Sequence, residues 1–165
     1  MPREIDVLVS EDGPRDGLQN IKRTMPTEAK LEWIKALAAS GLQEIEVGSF
    51  VSPDLFPQMA DCATLVRETS KINGVTILAL VPNLKGAENA IAAGARKLTM
   101  PPSASQAHSL SNIGKTPAEA IEEVRKVCVL RDTLPKARRP NIEVGISTAF
   151  GCTIEGIVSE DWVIE

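Results

Sequence analysis

The chain has 165 residues, 24% of them charged, and a formal net charge of −4. That is enough for one domain with a substantial core, and it argues against a general nucleic-acid binder, which needs a basic face. Tyr is absent and aromatics make up 3%, so an aromatic platform for single strands is not expected, and no apolar run reaches the roughly 18 residues of a membrane helix. Strand-like and helix-like segments then alternate along the chain. "IDVLVSE" (5–11) is a short Val/Ile-rich run followed by a Gly/Pro cluster. "TEAKLEWIKALAASG" (27–41) has Leu31, Ile34, Leu37 and Ala38 at helical spacing, with Gly41 placed to end the helix. "LQEIEVGSF" (42–50) reads as a strand with Ile45 and Val47 on one face and Glu46 on the other. "FPQMADCATLVRET" (56–69) reads as a helix, and "GVTILALVPN" (74–83) as a buried parallel strand. A short helix, "LKGAENAIAAG" (84–94), precedes a fourth strand, "ARKLTMPPS" (95–103). "TPAEAIEEVRKVCVLRDTL" (116–134) is the clearest helix, with Thr116 as N-cap, Pro117 as first helical residue and Glu119 as capping-box partner. "IEVGISTAFG" (142–151) is a fifth strand, and "SEDWVIE" (159–165) begins another helix.

Five strands alternating with helices predict parallel βαβ units with right-handed crossovers. The polar residues fall at the strand ends. Arg15 and Asp16 follow the first strand, Glu46 and Ser49 lie late in the second, and Asn83 follows the third. Ser103 and Ser105 follow the fourth strand, and Ser147 and Thr148 lie late in the fifth. A (β/α)₈ barrel and an open doubly wound sheet both gather such residues at one end. The open sheet normally carries a Gly-rich phosphate loop after its first strand. "GPRDGLQ" is neither GxGxxG nor a Walker loop. Cys62, Cys128 and Cys152 are widely spaced with no CxxC pair, which suits reduced thiols and a cytoplasmic setting. The opening "MPREIDVLVS" has no signal-peptide core, so the same setting is expected from it.

The stretches "GPRDGLQN", "IEVGSFVSPDLFPQMAD", "VPNLKGAENAIAAGA", "SASQAHSLSNIGKT" and "AFGCTIEG" resemble the hydroxymethylglutaryl-CoA lyase family of metal-dependent barrel lyases. The resemblance implies an α/β fold of the TIM-barrel type, with residues 1–165 forming about the first five βα units of a single barrel domain. It implies cleavage of an acyl-CoA substrate, 3-hydroxy-3-methylglutaryl-CoA or a close 3-hydroxyacyl-CoA, in leucine degradation. Asp16 matches a ligand to Mg²⁺ or Mn²⁺, ions that suit a hard carboxylate oxygen. Arg15 matches the arginine that neutralises the thioester-derived enolate, and Glu46 a glutamate that organises the metal site. Gln19 and Asn112 match polar positions near metal or substrate. Ser105, Ser147 and Thr148 are candidates for the substrate pocket, with local backbone capping as the equal alternative. Cys152 matches a family thiol near the active site, and a small buried hydrophobe is the alternative. His108, the only histidine, is read as a solvated loop residue.

Gln106 and Thr153 stand where the family commonly has Glu and Pro. The family's His-x-His pair, catalytic-cysteine loop and later Asn ligand belong to strands beyond this stretch, and a whole barrel takes about 250 residues. The 165-residue polypeptide alone is therefore expected to be inactive and, with open strand edges, to self-associate as a homo-oligomer. Two other functions stand beside the lyase: a condensing synthase of the same superfamily, and a non-catalytic half-barrel serving as a binding or assembly module. "PRDGLQ" argues against the synthase.

Overall fold

The computed structural model describes residues 7–164. Its centre is a five-stranded parallel sheet: β1 (Ser10–Glu11), β2 (Glu44–Ser49), β3 (Thr76–Leu80), β4 (Lys97–Met100) and β5 (Asn141–Val144). The strands lie in the order β1-β2-β3-β4-β5, each parallel to the next. Helices α1 (Thr27–Ala39), α2 (Cys62–Thr69), α3 (Leu84–Ala93) and α5 (Pro117–Thr133) make the crossovers. A short α4 (Gln106–Ile113) follows β4, and α6 (Glu160–Ile164) closes the described chain. All strand C-termini therefore meet at one end.

Residue alternation decides what each face of the sheet does. Ile45 and Val47 of β2 are fully buried with Ile34 of α1, Leu65 and Val66 of α2, Ile77 and Val81 around β3, and Leu98 of β4. This is the layer between strands and helices, and each such side chain contributes about 1.5–3 kcal/mol on burial. Gly48 lets α2 approach closely, since a Cβ there would meet Cys62 Sγ at 2.7 Å. The opposite face of β2 carries Glu44 and Glu46, two residues apart and both buried. Glu44 accepts from Lys97 Nζ of β4 at 2.9 Å, and Lys97 also pairs with Glu143 of β5. Three strands thus share one polar layer on the inner side of the curve.

Helix ends follow their capping residues. Thr116, Pro117 and Glu119 form the expected capping box, with Glu119 N–H donating to Thr116 Oγ1 at 3.3 Å and Thr116 N–H to Glu119 Oε2 at 2.8 Å. Gly94 ends α3 with φ of 96°.

Four expectations are corrected. Of the first strand expected over 5–11, Ile5 and Asp6 lie outside the described residues, and sheet pairing is confined to Ser10–Glu11. Val7, Leu8 and Val9 are exposed, because β1 has one neighbouring strand and that strand's pairing begins at Glu44. The helix expected over 56–69 is a 3₁₀ turn, Pro57–Met59, followed by α2. The fifth strand ends at Val144, and beyond it only a bridge from Ser147 to Ser103 continues the pairing. The segment 106–113, read as loop, is helical, with the Ser105 hydroxyl accepting from His108 N–H at 3.1 Å and Gly114 left-handed at its end.

Candidate functional site

The turn after β1 is one helical turn, Gly13–Gly17, started by Asp12, whose carbonyl accepts from Asp16 N–H at 2.8 Å and Arg15 N–H at 3.1 Å. This turn aims the Arg15 guanidinium along the end of the sheet. Arg15 Nε donates to Glu46 Oε2 at 2.7 Å, Nη2 to Asp12 Oδ2 at 2.6 Å and Nη1 to Asp16 Oδ1 at 2.9 Å. One guanidinium faces three carboxylates, so the group carries a formal surplus of negative charge. Glu46 is only 3% exposed. Burial lowers the Arg15 pKa, but Glu46, then Asp12 and Asp16, outweigh it and hold the pKa above its ordinary value. Burial, followed by the neighbouring Glu46, pushes the Asp12 carboxyl up to about 8.

Three buried oxygens here meet no N–H or hydroxyl donor, Asp12 Oδ1, Glu46 Oε1 and Gln19 Oε1, and a proton on Asp12 joins the Asp12 and Glu46 carboxyl groups in a hydrogen bond. Buried polar atoms are normally satisfied. Asp16, by contrast, is 61% exposed at its side chain; Arg15 and Asn20 hold its Oδ1, which leaves Oδ2 open to an incoming group. Oxygen donors with surplus negative charge are the donor set that suits a hard divalent cation. Among the described residues no three His, Cys, Asp or Glu side chains are grouped to hold an ion by themselves. Asp16 and Glu46 could therefore serve a cation only together with donors from outside the described residues.

Gln19 is tied in through its backbone. Its carbonyl accepts from Gln58 Nε2 at 2.5 Å. The Gln58 carbonyl accepts from Lys30 Nζ at 2.6 Å, and the same ammonium pairs with Asp61 Oδ1 at 2.7 Å. Lys30 is only 1% exposed, and Asp61 also accepts from Thr27 Oγ1 at 2.9 Å. A buried, paired lysine thus anchors the turn beneath the charged group.

A second group sits at the ends of β4 and β5. Ser105 N–H donates to Thr148 Oγ1 at 3.0 Å, and Ser105 Oγ donates to Cys152 Sγ at 3.0 Å. Cys152 Sγ also accepts from the N–H groups of Ile154 and Glu155 at 3.3 and 3.4 Å. The Ser105 hydroxyl, then the Glu155 N–H, draw the thiol's pKa below its ordinary value, whereas burial pushes that of Cys62 up. Thr148 has φ of 61°, the sole positive value at a non-glycine among the described residues. The Ser147 backbone is paired at both sides: its N–H donates to Pro102 and its carbonyl accepts from Ala104.

The structure thus joins Arg15, Asp16 and Glu46 directly, whereas Gln19 is linked through its carbonyl to Gln58 and the Lys30–Asp61 pair. It joins Ser105, Thr148 and Cys152 in the second group, with Ser147 in its backbone. Asn112 lies exposed in the last turn of α4, and no hydrogen bond among the described residues links it to either group. His108 is corrected: it is half-buried on α4, and its Nδ1 shares a 2.7 Å hydrogen bond with the buried Ser103 hydroxyl. Asp12 and the Lys30–Asp61 pair were missed. Lys30 had a signal, since it stands four residues before Ile34 on the helix's apolar stripe.

A family model described as HMGL-like matches residues 6–160. The Bacillus subtilis hydroxymethylglutaryl-CoA lyase YngG is 37% identical over 99% of this chain and 54% of its own length. The mitochondrial hydroxymethylglutaryl-CoA lyase of Arabidopsis thaliana is 40% identical over 92% of this chain and 32% of its own length. The solved Bacillus subtilis HMG-CoA lyase superposes with a TM-score of 0.89 at 36% identity, covering 99% of this chain and 54% of that one. An Acinetobacter baumannii HMG-CoA lyase, solved with coenzyme A and 3-methylmalate, gives 0.87 at 34%, covering 95% and 50%. The chain spans about half the length, or less, of these relatives. The five parallel strands and their helices are part of a barrel, and the chain belongs to the HMGL-like family.

Proposed function

We propose that a complete barrel carrying this chain cleaves 3-hydroxy-3-methylglutaryl-CoA, or a close 3-hydroxyacyl-CoA, to acetyl-CoA and a β-keto acid such as acetoacetate, using Mg²⁺ or Mn²⁺. The observation that carries this reading is the Arg15 guanidinium braced by Asp12, Asp16 and Glu46, with buried oxygens beside it that meet no N–H or hydroxyl donor. Asp16 is the residue of this chain that would hold the cation, with Glu46 steadying the arrangement behind it. When bound, a divalent cation there supplies Lewis-acid polarisation of the substrate's hydroxyl and carboxylate oxygens. Arg15, fixed in orientation by Glu46 and Asp12, stabilises the negative charge that develops on the thioester oxygen as the carbon–carbon bond breaks. A pre-aimed donor does this without reorganising at the moment of reaction. Gln19, Ser105, Ser147 and Thr148 are assigned to the walls of the acyl-CoA pocket, and Asn112 to its outer edge. Cys152 is assigned to the same pocket as a hydrogen-bonded thiol.

The setting we infer is leucine breakdown in the cytoplasm. The three free thiols agree with a reducing compartment. No helix among the described residues is long and apolar enough to cross a membrane. In a complete barrel the exposed Val7, Leu8 and Val9 beside β1, Val144 of β5 and Ile146 just beyond it lie where further strands would pair.

The alternative reading is a non-catalytic half-barrel module. The test is acetyl-CoA formation from hydroxymethylglutaryl-CoA, with Mg²⁺ or Mn²⁺, by this chain joined to the remaining portion of the Bacillus subtilis relative. Metal-dependent product supports the lyase. A cooperatively melting chimaera that makes no product with either metal would favour the module.

A further inference from the structure

The opposite end of the sheet holds a cleft of about 450 Å³ that the proposed chemistry does not use. Arginines from three segments line it: Arg67 in the last turn of α2, Arg96 just before β4, and Arg138 and Arg139 just before β5. Its floor is built from small residues such as Ala92, Ala93 and Ala95, which leaves depth between the guanidinium groups. Arg139 caps the end of α5, its Nε donating to the Leu134 carbonyl at 2.8 Å and its Nη2 to the Asp132 carbonyl at 2.7 Å, so it borders the cleft and leaves Arg67, Arg96 and Arg138 as the free guanidinium groups among the described residues. Arg67, Arg96 and Arg138 make no side-chain hydrogen bond or ion pair among the described residues. They are therefore not capping helix carbonyls, the ordinary employment of arginine at a helix C-terminus. The carboxylates of the flanking segments are engaged elsewhere: Glu68 with Lys71, Asp132 with Arg131 and Arg139, Glu143 with Lys97. On a chain of net charge −4 this is a concentrated positive patch.

We propose that this cleft is an anion-binding site for a small phosphate-bearing molecule with two or more negative charges. Planar guanidinium groups match phosphate oxygens in pairs. A single exposed ion pair contributes little, so affinity requires the convergence that the cleft provides. A concave site ringed by arginines, on an otherwise acidic chain, favours a compact anion over a polymer that would lie along acidic surface. Its position at the N-terminal strand ends, away from Arg15 and Asp16, makes it a binding site separate from the chemistry.

The probe is pyrophosphate, titrated calorimetrically into the complete barrel formed by joining this chain to the remaining portion of the Bacillus subtilis relative. At an ionic strength of about 20 mM, where screening extends to about 20 Å, saturable one-to-one binding is expected, with a rise in melting temperature on saturation. Raising the salt to about 0.2 M should weaken binding about tenfold or more. Arg96→Gln combined with Arg138→Gln should abolish saturable binding. All of these side chains are exposed, so circular dichroism should show an unchanged fold. Arg125→Gln, on the exposed face of α5 outside the cleft, should bind as the parent does. No saturable binding up to about 10 mM pyrophosphate at low salt would overturn the site, since the affinity would then be no better than that of isolated surface charges. Equal loss in the Arg125 variant would overturn the assignment to this cleft. Tighter binding of an RNA oligonucleotide or of anionic vesicles than of pyrophosphate would overturn the small-anion reading.

Discussion

The two groups at the C-terminal strand ends are built on opposite principles. At β1 and β2, three carboxylates crowd one guanidinium, and three nearby buried oxygens meet no N–H or hydroxyl donor. At β4 and β5, hydroxyls, a thiol and backbone groups hydrogen-bond to one another, and the tension is stored in the left-handed Thr148 instead. The first arrangement carries surplus negative charge and buried oxygens without N–H or hydroxyl donors. The second is hydrogen-bonded within itself. Buried polar atoms cost free energy when left unmade, which is why the proposed function puts the cation at the first group.

The largest effect should come from the anchor under the charged group. Lys30→Met strands the Asp61 carboxylate and releases the Gln58 carbonyl, and should cost about 3 kcal/mol in urea unfolding, as for one partner removed from a buried pair. A loss below about 0.5 kcal/mol would mean that the turn does not depend on this network. Asp16→Asn comes next. In a complete barrel it should raise the Mg²⁺ or Mn²⁺ needed for half-maximal activity by at least the ~10–100-fold seen when a metal site's supporting groups are altered. An unchanged requirement would remove Asp16 from the metal.

A smaller effect is expected from pH. Burial and the neighbouring Glu46 push the Asp12 carboxyl up to about 8, against an ordinary 3.8. Its folded pKa is raised, so the native state binds the proton more tightly. That contribution is complete below about pH 4 and is lost as pH rises toward 8. Asp12→Asn should flatten this part of the melting-temperature profile, and the variant should melt above the parent at pH 8. A parallel decline in both proteins would contradict the crowding of carboxylates. The smallest effect is Thr148→Asn. Asn tolerates the left-handed region better than a β-branched residue, which offsets the lost hydrogen bond from Ser105 N–H, so stability should change by no more than about 1 kcal/mol. A larger loss of stability would show that the Thr148 hydroxyl matters more than its strain.

Much of the charged group was legible, because Arg15 and Asp16 stand in one contiguous motif and Glu46 breaks an apolar strand. Asp12 was not, since an Asp before Gly-Pro reads as an ordinary turn former. Lys30 was hidden by its type: lysine is rarely buried, and only its place on the apolar stripe betrayed it. Helix α4 escaped notice because it is only eight residues long and follows a Pro- and Ser-rich stretch that reads as loop, although Ala107, Leu110 and Ile113 stand at helical spacing between Ser105 and Gly114. That in turn misplaced His108. In the other direction, Val7 to Val9 looked like buried strand, but composition cannot tell an edge that lacks a neighbour from a paired interior.

The central claim is that the charged group does the chemistry and the hydroxyl–thiol group supports it. The most direct test is kcat for acetyl-CoA formation from hydroxymethylglutaryl-CoA, measured side by side for Arg15→Gln and Cys152→Ser in a complete barrel. Arg15→Gln should lower kcat by roughly 10² or more, as for loss of a pre-aimed charge-stabilising donor, while Cys152→Ser should stay within about tenfold of the parent, losing only neutral hydrogen bonds. An Arg15 variant as fast as the parent, or a Cys152 variant slower than the Arg15 one, would contradict the account.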